Sequence, residues 1–586
     1  MIALRGEGAS RGIAIGPAHL LAAKVPIAER RILRRDRAAE VAHLEEGIVA
    51  ADDQLDRMQR RLADGGGAGA DLVEAHRLML RSPEIAGESR RLILEECSAA
   101  EWAVTRALDK IRAVFSQLRD PYFRERGGDF EAVGERLLRT LLGLPELRAE
   151  SATAGSIVVG VDLSPLDPFH LHAAGVAGII TENGGRTSHA AIVARALGLP
   201  YVIGVKELAG KIATGALIAL DGVRGEVILE PSEPTRKTFA ARATAQLQRD
   251  QQLLLEKDLA AVTTDGVLVG LSANVESVLG VSAVRAAGAE GIGLFRTEFL
   301  YLERPDLPTE DEQHRDAVSV LEAVGGLPVT FRTLDLGGDK LPLAVKLPEG
   351  PNPALGIRSI RFSLEQPGIF RTQLRALYRA STAGPMRIML PLVTTATELR
   401  RALAICAEVR EALSAEGVAY APRVPLGVML ETPSAVLTTD LLAPDVDFFS
   451  IGSNDLIQYA CAADRENADV AHLRNPLQPA VLRLLKHAID AATRAQRPIS
   501  ICGDMASDPA FTWLLLGLGV RDLSLEPHAI PMVKAIIRRS SLEEAVAFAA
   551  KALASPDEDE TARLIEVAMM PKFAADLQAF MPAADA

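Results

Sequence analysis

Residues 425–455 read PLGVMLETPSAVLTTDLLAPDVDFFSIGSND, and they are the clearest guide to the architecture of this chain. The stretch contains two apolar runs, Pro425–Leu430 and Asp447–Gly452, each long enough for a strand that is buried on both faces. Polar residues follow both runs, with Glu431 directly after the first and Asp455 shortly after the second. The pattern is typical of parallel strands whose carboxyl ends carry functional side chains.

The same alternation of strand and helix recurs after residue 265. Eight apolar segments of strand length are found, namely Val267–Val275, Gly291–Thr297, Pro328–Leu334, Met386–Val393, Pro425–Leu430, Asp447–Gly452, Pro498–Cys502 and Arg521–Leu525. Eight strands alternating with helices over about 280 residues predict a (β/α)8 barrel. A doubly wound open sheet is the alternative that the pattern leaves open.

Strand-rich segments flank a helical block earlier in the chain. Within residues 32–145 the apolar residues stand three and four apart between charges, which is the period of amphipathic helices. After this block, short apolar runs predict strands at Ser156–Val161, Val176–Thr181, Ala216–Leu220 and Glu226–Leu229. Residues before the block are also strand-rich, so we interpret the helices as an insertion into one α/β domain.

The predicted organisation therefore has four parts. They are an α/β domain made of residues 1–31 and 146–231, an inserted all-α subdomain at 32–145, a helical linker at 232–260 and a barrel at 261–586. A fully helical linker of about 26 residues would span about 39 Å. The predicted fold class is an α/β multidomain protein with a C-terminal (β/α)8 barrel.

Composition and charge exclude several classes of function. The 586 residues carry a formal net charge of −13, which argues against a nucleic-acid-binding protein. The longest apolar run, Trp513–Val520, is far shorter than the roughly 18 residues that a membrane span requires. The four cysteines show no close pair and no metal-ligand spacing, which indicates a reducing compartment. We expect a cytoplasmic protein without membrane insertion.

Side chains of catalytic type stand at the ends of five predicted barrel strands. They are Arg296, Arg332, Glu431, Asn454 with Asp455, and Cys502. Because barrel enzymes place their chemistry at the carboxyl ends of the strands, we expect these side chains to meet at one rim. Taken singly, each has a structural interpretation, such as a surface ion pair, a helix cap or a core cysteine. The joint arrangement favours an active site.

The residue types suit a small polyanion and a metal ion. Arginine presents a planar fork of donors that matches phosphate and carboxylate oxygens, and the candidates are Arg296, Arg332, Arg358 and Arg465. Glu431 and Asp455 offer the hard oxygen ligands that Mg²⁺ takes. The thiol of Cys502 is mostly protonated at neutral pH, so it can donate a proton to a carbanion.

One histidine lies in an unusual setting. The sequence NGGRTSHAA at 183–191 follows a predicted strand and leads into a predicted helix, with Thr187 or Ser188 as its N-cap and His189 in its first turn. The positive end of the helix dipole keeps the imidazole neutral and would stabilise an attached phosphoryl group. A capped turn with an incidental histidine is an equal alternative for this motif alone. His76 is expected on the surface of a helix.

Several motifs together resemble one family. They are GGRTSH at 184–189, GIGLFRTE at 291–298, RTLDLGGDK at 332–340, GVMLETP at 427–433 and DFFSIGSNDLIQY at 447–459. In this order, with the helical block ahead of them, they resemble Enzyme I of the bacterial sugar phosphotransferase system, a phosphoenolpyruvate–protein phosphotransferase. The resemblance runs nearly end to end.

The resemblance implies a role for each motif. It makes His189 the phosphorylated nucleophile, Cys502 the proton donor to the enolate, and Glu431 and Asp455 the Mg²⁺ ligands. The residues that it assigns to phosphoenolpyruvate are Arg296, Arg332, Asn454 and Arg465. It also implies that the inserted helices bind the histidine phosphocarrier protein and that the barrel forms a homodimer.

Three positions depart from the family pattern, and other functions stay open. The departures are Ala190-Ala191 after the histidine, Asp504 in place of glutamate, and Glu526-Pro527 in a segment that is usually serine-rich. A dikinase or phosphoenolpyruvate synthase would share these modules but needs an ATP-binding domain, for which no glycine-rich loop is seen. A nitrogen-branch relative would carry an additional sensory domain. A non-catalytic, phosphorylation-dependent scaffold is the alternative from a different class.

Overall fold

The structure is a computed structural model. It describes residues 2–21, 27–64, 70–117, 121–144, 152–163, 167–185, 188–206, 208, 212–276, 278–301, 306–336, 352–464 and 467–573. Two residues named above, Thr187 and Arg465, lie outside the described residues, as do residues 186 and 337–340 of the quoted motifs. The chain forms two compact units that divide at Arg249, which lies inside the predicted linker.

The first unit contains a mixed sheet of eight strands. These are β1 (Ile2–Arg5), β2 (Glu7–Ser10), β3 (Ile13–Leu20), β4 (Ile157–Gly160), β5 (Gly178–Thr181), β6 (Tyr201–Ile203), β7 (Leu217–Asp221) and β8 (Glu226–Leu229). Their order is β1-β8-β7-β3-β4-β5-β6-β2, and β3 to β6 run parallel. Strands β3 and β4 are neighbours although the helical block separates them in the chain, which confirms the predicted insertion.

Within the described residues of the first unit, eight α-helices begin. They are α1 (Arg37–Asp64), α2 (Ala70–Leu80), α3 (Glu88–Glu96), α4 (Ala100–Gln117), α5 (Pro121–Leu141), α6 (Asp167–Ala173), α7 (His189–Ala196) and α8 (Glu233–Leu255). Helices α1 to α5 enclose a core of their own, in which Leu44, Leu55 and Leu137 are fully buried. The expectation for His76 is wrong, because its side chain on α2 is only 3% exposed.

The sequence patterns missed one strand of this unit and misplaced one helix end. Strand β6 has only three residues between Pro200 and Gly204, which is too short for a periodic signal. Helix α8 occupies most of the predicted linker but ends at Leu255 rather than near residue 260. Its Phe239 is buried against Ala219 and Ile228 of the sheet, so the first half of α8 is fixed to the first unit.

The second unit is a closed parallel barrel. Its strands are β9 (Gly270–Val275), β10 (Ile292–Arg296), β11 (Val329–Arg332), β12 (Met386–Leu390), β13 (Leu426–Leu430), β14 (Phe448–Gly452), β15 (Ile499–Cys502) and β16 (Asp522–Leu525). Each strand pairs with the next in the chain, and β16 pairs with β9 to close the barrel. Closure confirms the predicted barrel and excludes the open sheet.

The barrel interior explains why the polar strand ends converge. A small buried cluster draws one residue from each of five strands, namely Leu294, Met389, Met429, Phe448 and Cys502. Residues from five strands can meet only inside the barrel. Because side chains alternate along a strand, Arg296 lies on the same face as Leu294, one layer nearer the carboxyl end. Glu431 is likewise two residues beyond Met429, so it follows on the same face of β13.

Helices surround this barrel. They are α9 (Val281–Ala286), α10 (Glu310–Val324), α11 (Ser359–Glu365), α12 (Pro367–Ala380), α13 (Ala396–Ala415), α14 (Pro433–Leu437), α15 (Thr439–Leu442), α16 (Ser453–Cys461), α17 (Pro479–Arg494), α18 (Asp504–Ser507), α19 (Thr512–Leu518), α20 (Ile530–Arg538), α21 (Leu542–Ala554), α22 (Glu558–Leu564) and α23 (Met570–Lys572). The apolar run at Trp513–Val520 is largely α19, whose residues are buried. Within the described part of the chain, no helix has both the length and the apolar character of a membrane span.

Candidate active site

Arg332, at the carboxyl end of β11, is held by two carboxylates. Its Nη2 lies 3.0 Å from Oε1 of Glu298, and its Nη1 lies 2.9 Å from Oδ2 of Asp335. All three side chains are buried. Although burial works against the charged guanidinium, Asp335 and Glu298 outweigh it and raise the pKa of Arg332. The guanidinium is therefore charged and fixed before any ligand arrives.

Arg358 meets the same aspartate from the other side. It directly precedes α11, and its Nη2 donates to Oδ1 of Asp335 at 3.0 Å. Its Nη1 lies 3.7 Å from Asp455 and donates to the hydroxyl of Tyr459 at 3.4 Å. Burial opposes the ionisation of Asp335, but Arg332 and Arg358 outweigh burial and hold the pKa of Asp335 well below its usual range. One carboxylate thus aligns two arginines.

Arg296 ends β10 and pairs with Glu276, which follows β9. Burial works against the charged form of Arg296, but the negative charges of Glu276 and, less strongly, Glu526 help to raise its pKa. Glu526 is one of the departures from the family pattern, and its backbone N–H donates to Oγ of Ser507 at 2.9 Å. The departure therefore adds an acidic neighbour to an arginine of the site.

Glu431 follows β13 and is almost completely buried, at 1% exposure. Its Oε1 accepts a hydrogen bond of 2.5 Å from the backbone N–H of Leu392. A Cβ atom on Gly452 would lie 2.7 Å from its Oε2, so only glycine fits at that point of β14. Burial, followed by the like charges of Asp455 and Asp335, raises the pKa of Glu431 well above its usual range.

This environment fits a divalent cation. A buried carboxylate beside other carboxylates is costly without a compensating positive charge, and a cation bound by Glu431 and Asp455 would supply one. Within the described residues no cluster of three or more histidine, cysteine, aspartate or glutamate side chains has the geometry of a metal site. Two carboxylates are nevertheless sufficient for Mg²⁺, because water and substrate oxygens usually complete its coordination.

The turn after β15 is tied to the turn after β14. Ser453 Oγ donates to the carbonyl oxygen of Cys502 at 2.9 Å, and Oδ1 of Asn454 accepts from the backbone N–H of Asp504 at 3.0 Å. Gly503, between them, has a φ of +98°, which favours glycine. The Asp504 side chain is exposed, so the departure from glutamate at this position lies away from the buried thiol.

Cys502 is 2% exposed and lies below the arginines. Its thiol donates to the carbonyl oxygen of Ile451 at 3.4 Å and accepts from the hydroxyl of Ser450 at 3.6 Å. Burial raises the pKa of the Cys502 thiol to about 11, while the Ser450 hydrogen bond and Arg332 work against this rise. The thiol therefore keeps its proton at neutral pH.

The first unit places His189 as expected for its backbone. Ser188, rather than Thr187, is the N-cap of α7, and its Oγ accepts from the N–H of Ala191 at 3.3 Å. His189 is the first residue of the helix, and its side chain lies outside the described part of the chain. The next residues, Ala190 and Ala191, are buried in the core between α7 and the sheet. Small side chains at this departure from the family pattern therefore serve packing.

A hydrogen-bonded pair supports the loop before His189. The hydroxyl of Thr181, the last residue of β5, donates to the carbonyl oxygen of Asn183 at 2.6 Å and lies 3.0 Å from the hydroxyl of Tyr201. Tyr201 belongs to β6, the strand that the sequence patterns missed. The loop is thus fixed to the sheet on the side where α7 begins.

The structure brings most of the predicted barrel residues together. The contacts above join Arg332, Arg358 and Asp455 through Asp335, and place Asn454 and Cys502 on adjoining turns. The charges of Arg296 and Glu431 each interact with the charge of Arg332. Arg465 lies outside the described residues, and His189 belongs to the other unit.

Sequence reasoning missed the carboxylates that hold the arginines. These are Glu276, Glu298 and Asp335. Each comes within three residues of the end of a barrel strand, and two of them lie inside quoted motifs, so their position was a usable signal. The sequence alone does not distinguish a carboxylate that holds an arginine from one that binds a metal ion.

Comparison with known proteins places this arrangement in a family. Three family models of PEP-utilising enzymes match the chain. PEP stands for phosphoenolpyruvate. The N-terminal part matches residues 5–126, the mobile domain residues 152–225 and the PEP-binding domain residues 250–542. The last match contains all the barrel residues discussed above, and the mobile domain contains His189.

Relatives that match over nearly the whole chain share one name. The phosphoenolpyruvate-protein phosphotransferase of Geobacillus stearothermophilus is 41% identical and covers 92% of this chain and 94% of that protein. Those of Cupriavidus necator and Bacillus subtilis are 40% and 38% identical, and each covers 96% of this chain and at least 98% of its own length. These matches confirm the resemblance seen in the motifs, and the chain belongs to the phosphoenolpyruvate-protein phosphotransferase family.

Proposed function

We propose that the protein takes a phosphoryl group from phosphoenolpyruvate onto His189, releases pyruvate and passes the group to a histidine phosphocarrier protein. The observation that carries this proposal is the charged network of Arg332, Asp335 and Arg358 above a protonated buried thiol. Such a pocket offers donors for a phosphate and a carboxylate together with a proton for a carbon atom. Membership of the family supports the same substrate.

The proposed reaction with phosphoenolpyruvate has two chemical steps, and transfer of the phosphoryl group to the carrier follows them. An imidazole nitrogen of His189 forms a bond to phosphorus while the bond between phosphorus and the enol oxygen breaks, which leaves the enolate of pyruvate. Cys502 then gives its proton to the terminal carbon of the enolate, and pyruvate forms. The arginines position the phosphate and carboxylate, and in-line transfer depends mainly on such positioning and on charge stabilisation.

Mg²⁺ is the cofactor that we propose. Glu431 and Asp455 would hold it, since their burial and mutual repulsion suit a cation. Bound there, the ion would add positive charge against the oxygens of the substrate. Asn454, Arg296 and Arg465 are proposed to complete the binding of phosphoenolpyruvate.

The setting of His189 suits a nucleophile. His189 is the first residue of α7, where the positive end of the helix dipole favours a phosphoryl group once it is attached. His189 and the barrel rim belong to different units, so the proposal requires the unit that carries His189 to dock first on the barrel and then on the carrier.

Family membership supports the remaining parts of the proposal. Helices α1 to α5 would bind the phosphocarrier, and two barrels would associate in a cytoplasmic homodimer. Light scattering on the purified protein tests the dimer. Mixing the isolated carrier with a variant that lacks residues 32–145 tests the docking role, because that variant should lose binding.

The decisive experiment is incubation with phosphoenolpyruvate, Mg²⁺ and a purified phosphocarrier, followed by intact-mass measurement of both proteins. A phosphoryl adduct is expected on each, together with release of pyruvate. His189→Ala should abolish both adducts, whereas His172→Ala, an exposed histidine of the same domain, should leave them unchanged. An adduct on the His189→Ala protein would contradict the proposal, and a protein that binds carrier without releasing pyruvate would instead be a scaffold.

A further inference from the structure

A chain of hydroxyl groups lies beneath Cys502 inside the barrel. The hydroxyl of Ser500 donates to Oγ of Ser450 at 3.0 Å, and the hydroxyl of Ser450 donates to Sγ of Cys502 at 3.6 Å. A second acceptor for Ser500, the carbonyl oxygen of Phe449, is farther away at 3.5 Å. Of the two bonds that Ser500 can donate, the one to Ser450 is therefore the shorter, and it leads toward the sulfur.

Strand register produces this chain. Ser450 of β14 lies opposite Ser500 of β15, and Gly452 lies opposite Cys502. Ser500 and Cys502 are two residues apart, so their side chains share the interior face of β15. The absence of a side chain on Gly452 leaves the thiol beside the hydroxyl of the layer below. Ser450 is 1% exposed, whereas Ser500 is only half-buried.

In the proposed reaction the buried thiol of Cys502 must regain a proton after each turnover. Every turnover removes the proton of Cys502, yet the side chain is 2% exposed and is covered by the substrate on the rim side. A new proton must arrive before the next turnover. The half-buried hydroxyl of Ser500 is the outer end of a hydrogen-bonded route that reaches the sulfur from below.

We propose that Ser450 and Ser500 form a proton relay that restores the proton of Cys502 after each turnover. This inference rests on the proposed function. The S–H bond breaks as its proton bonds to the terminal carbon of the enolate, leaving a thiolate. The thiolate takes the proton of Ser450, Ser450 takes that of Ser500, and Ser500 takes one from water. Each serine oxygen ends the sequence with one proton, as it began, and the hydroxide that the water molecule leaves is neutralised by the bulk solvent.

The surroundings of Cys502 favour reprotonation of its thiolate. Burial raises the pKa of the Cys502 thiol to about 11, so a thiolate formed there is strongly basic. The hydrogen bond from Ser450 and the charge of Arg332 work against this rise in the pKa of Cys502. Ser450 is thus a relay and positioning residue rather than a catalytic residue, because it touches the thiol and not the substrate.

The test follows the proton with deuterium. The full-length protein, equilibrated in H₂O, is mixed into excess D₂O for a variable delay, and phosphoenolpyruvate with Mg²⁺ is then added for one turnover. Mass spectrometry of the pyruvate reports whether its new methyl hydrogen is protium or deuterium. The wild-type protein should give deuterated pyruvate after the shortest delay. Ser450→Ala should need a delay at least about tenfold longer, since a positioned proton donor commonly accelerates transfer by 10²–10⁴.

Matched variants separate a relay from a structural role. Ser500→Ala should lengthen the delay as well, and Ser450→Thr, which keeps a hydroxyl, should restore fast exchange. Ser524→Ala is the control, because Ser524 is a buried serine on β16 whose hydroxyl bonds Asn274 instead of the thiol. If Ser450→Ala slows the first turnover but labels pyruvate as fast as the wild type, the relay is overturned. If the wild type releases no pyruvate, the proposed function fails instead.

Discussion

The loop before His189 and the barrel rim around Cys502 are held in place by different kinds of contact. Both place a residue with a proposed role in the chemistry where a strand of a parallel pair gives way to a helix. At the rim, buried ion pairs such as Arg332 with Asp335 fix the surrounding side chains. At His189, a Ser188 cap and a glycine-rich loop supply mainly backbone support. The difference suggests that the rim is preorganised for a small charged substrate, whereas the histidine is presented for contact with more than one surface.

The largest expected effect tests the chemical half of this comparison. Cys502→Ser replaces the proton donor by a much weaker acid, and we expect pyruvate formation to fall by about 10²–10⁴. A coupled assay of pyruvate release measures it. Cys97→Ser, in the helical subdomain, should retain full activity. Equal activity of the Cys502→Ser and wild-type proteins would show that the rim supplies its proton from another group.

Removing the shared carboxylate tests the preorganisation of the rim. Asp335→Asn leaves Arg332 and Arg358 without their common partner, and breaking a buried ion pair costs about 3–5 kcal/mol. We expect barrel unfolding at lower denaturant concentration and a KM for phosphoenolpyruvate raised at least about tenfold, since about 1.4 kcal/mol of lost alignment corresponds to a factor of ten.

The matched control for Asp335→Asn is Asp490→Asn. Asp490 forms a half-exposed pair with Lys486 one helical turn away, and such pairs contribute only about 0.3–0.5 kcal/mol. Chemical denaturation and steady-state kinetics of both variants compare the two sites. Similar small effects at both positions would mean that the arginines do not depend on Asp335.

An alkaline titration sharpens the contrast between buried and exposed groups. The pKa of Cys502 is raised to about 11 in the folded protein, against about 8.5 in an unfolded chain. The thiol therefore contributes stability that is fully present below pH 8.5 and is lost as pH rises toward 11. The loss should approach about 3 kcal/mol relative to Cys502→Ala. Denaturant midpoints of the two proteins between pH 8 and 11 measure it, and a constant difference would contradict the assignment.

The smallest expected effect concerns the histidine turn. Ser188→Ala removes the hydroxyl that caps α7, at a cost of about 1 kcal/mol. Hydrogen exchange at the N–H of Ala191 should become about fivefold faster while the barrel amides stay unchanged. Ser188→Asp keeps an acceptor at the cap and should preserve protection. Unchanged exchange in Ser188→Ala would show that the loop, rather than the cap, holds His189.

Periodic patterns predicted most of the architecture. All eight barrel strands and the inserted helices were visible because buried parallel strands and amphipathic helices have apolar residues at fixed spacings. Strand β6 was not visible, since three residues carry no period. His76 was wrongly placed on a surface, because one polar residue within a helix gives no sign of which neighbouring helix covers it.

The sequence predicted many residues of the candidate site but not the contacts between their side chains. Strand ends indicated Arg296, Arg332, Glu431 and Cys502, because in a barrel the position along a strand determines the rim. The partnership of Arg358 with Asp335 was not predictable, since the two approach from different loops. The roles assigned to these residues, and to Arg465 and His189, stay predictions until the variants are measured.

What the amino-acid sequence determined by itself was local: which segments form strands and helices, where each strand ends, and which side chain follows it. These properties depend on spacing and side-chain chemistry within a few residues. The tertiary structure alone decided which carboxylate holds which arginine, why Gly452 must lack a side chain, and which hydroxyls lie beneath Cys502. Such contacts join residues far apart in the chain, and burial sets their strength, so no local pattern records them.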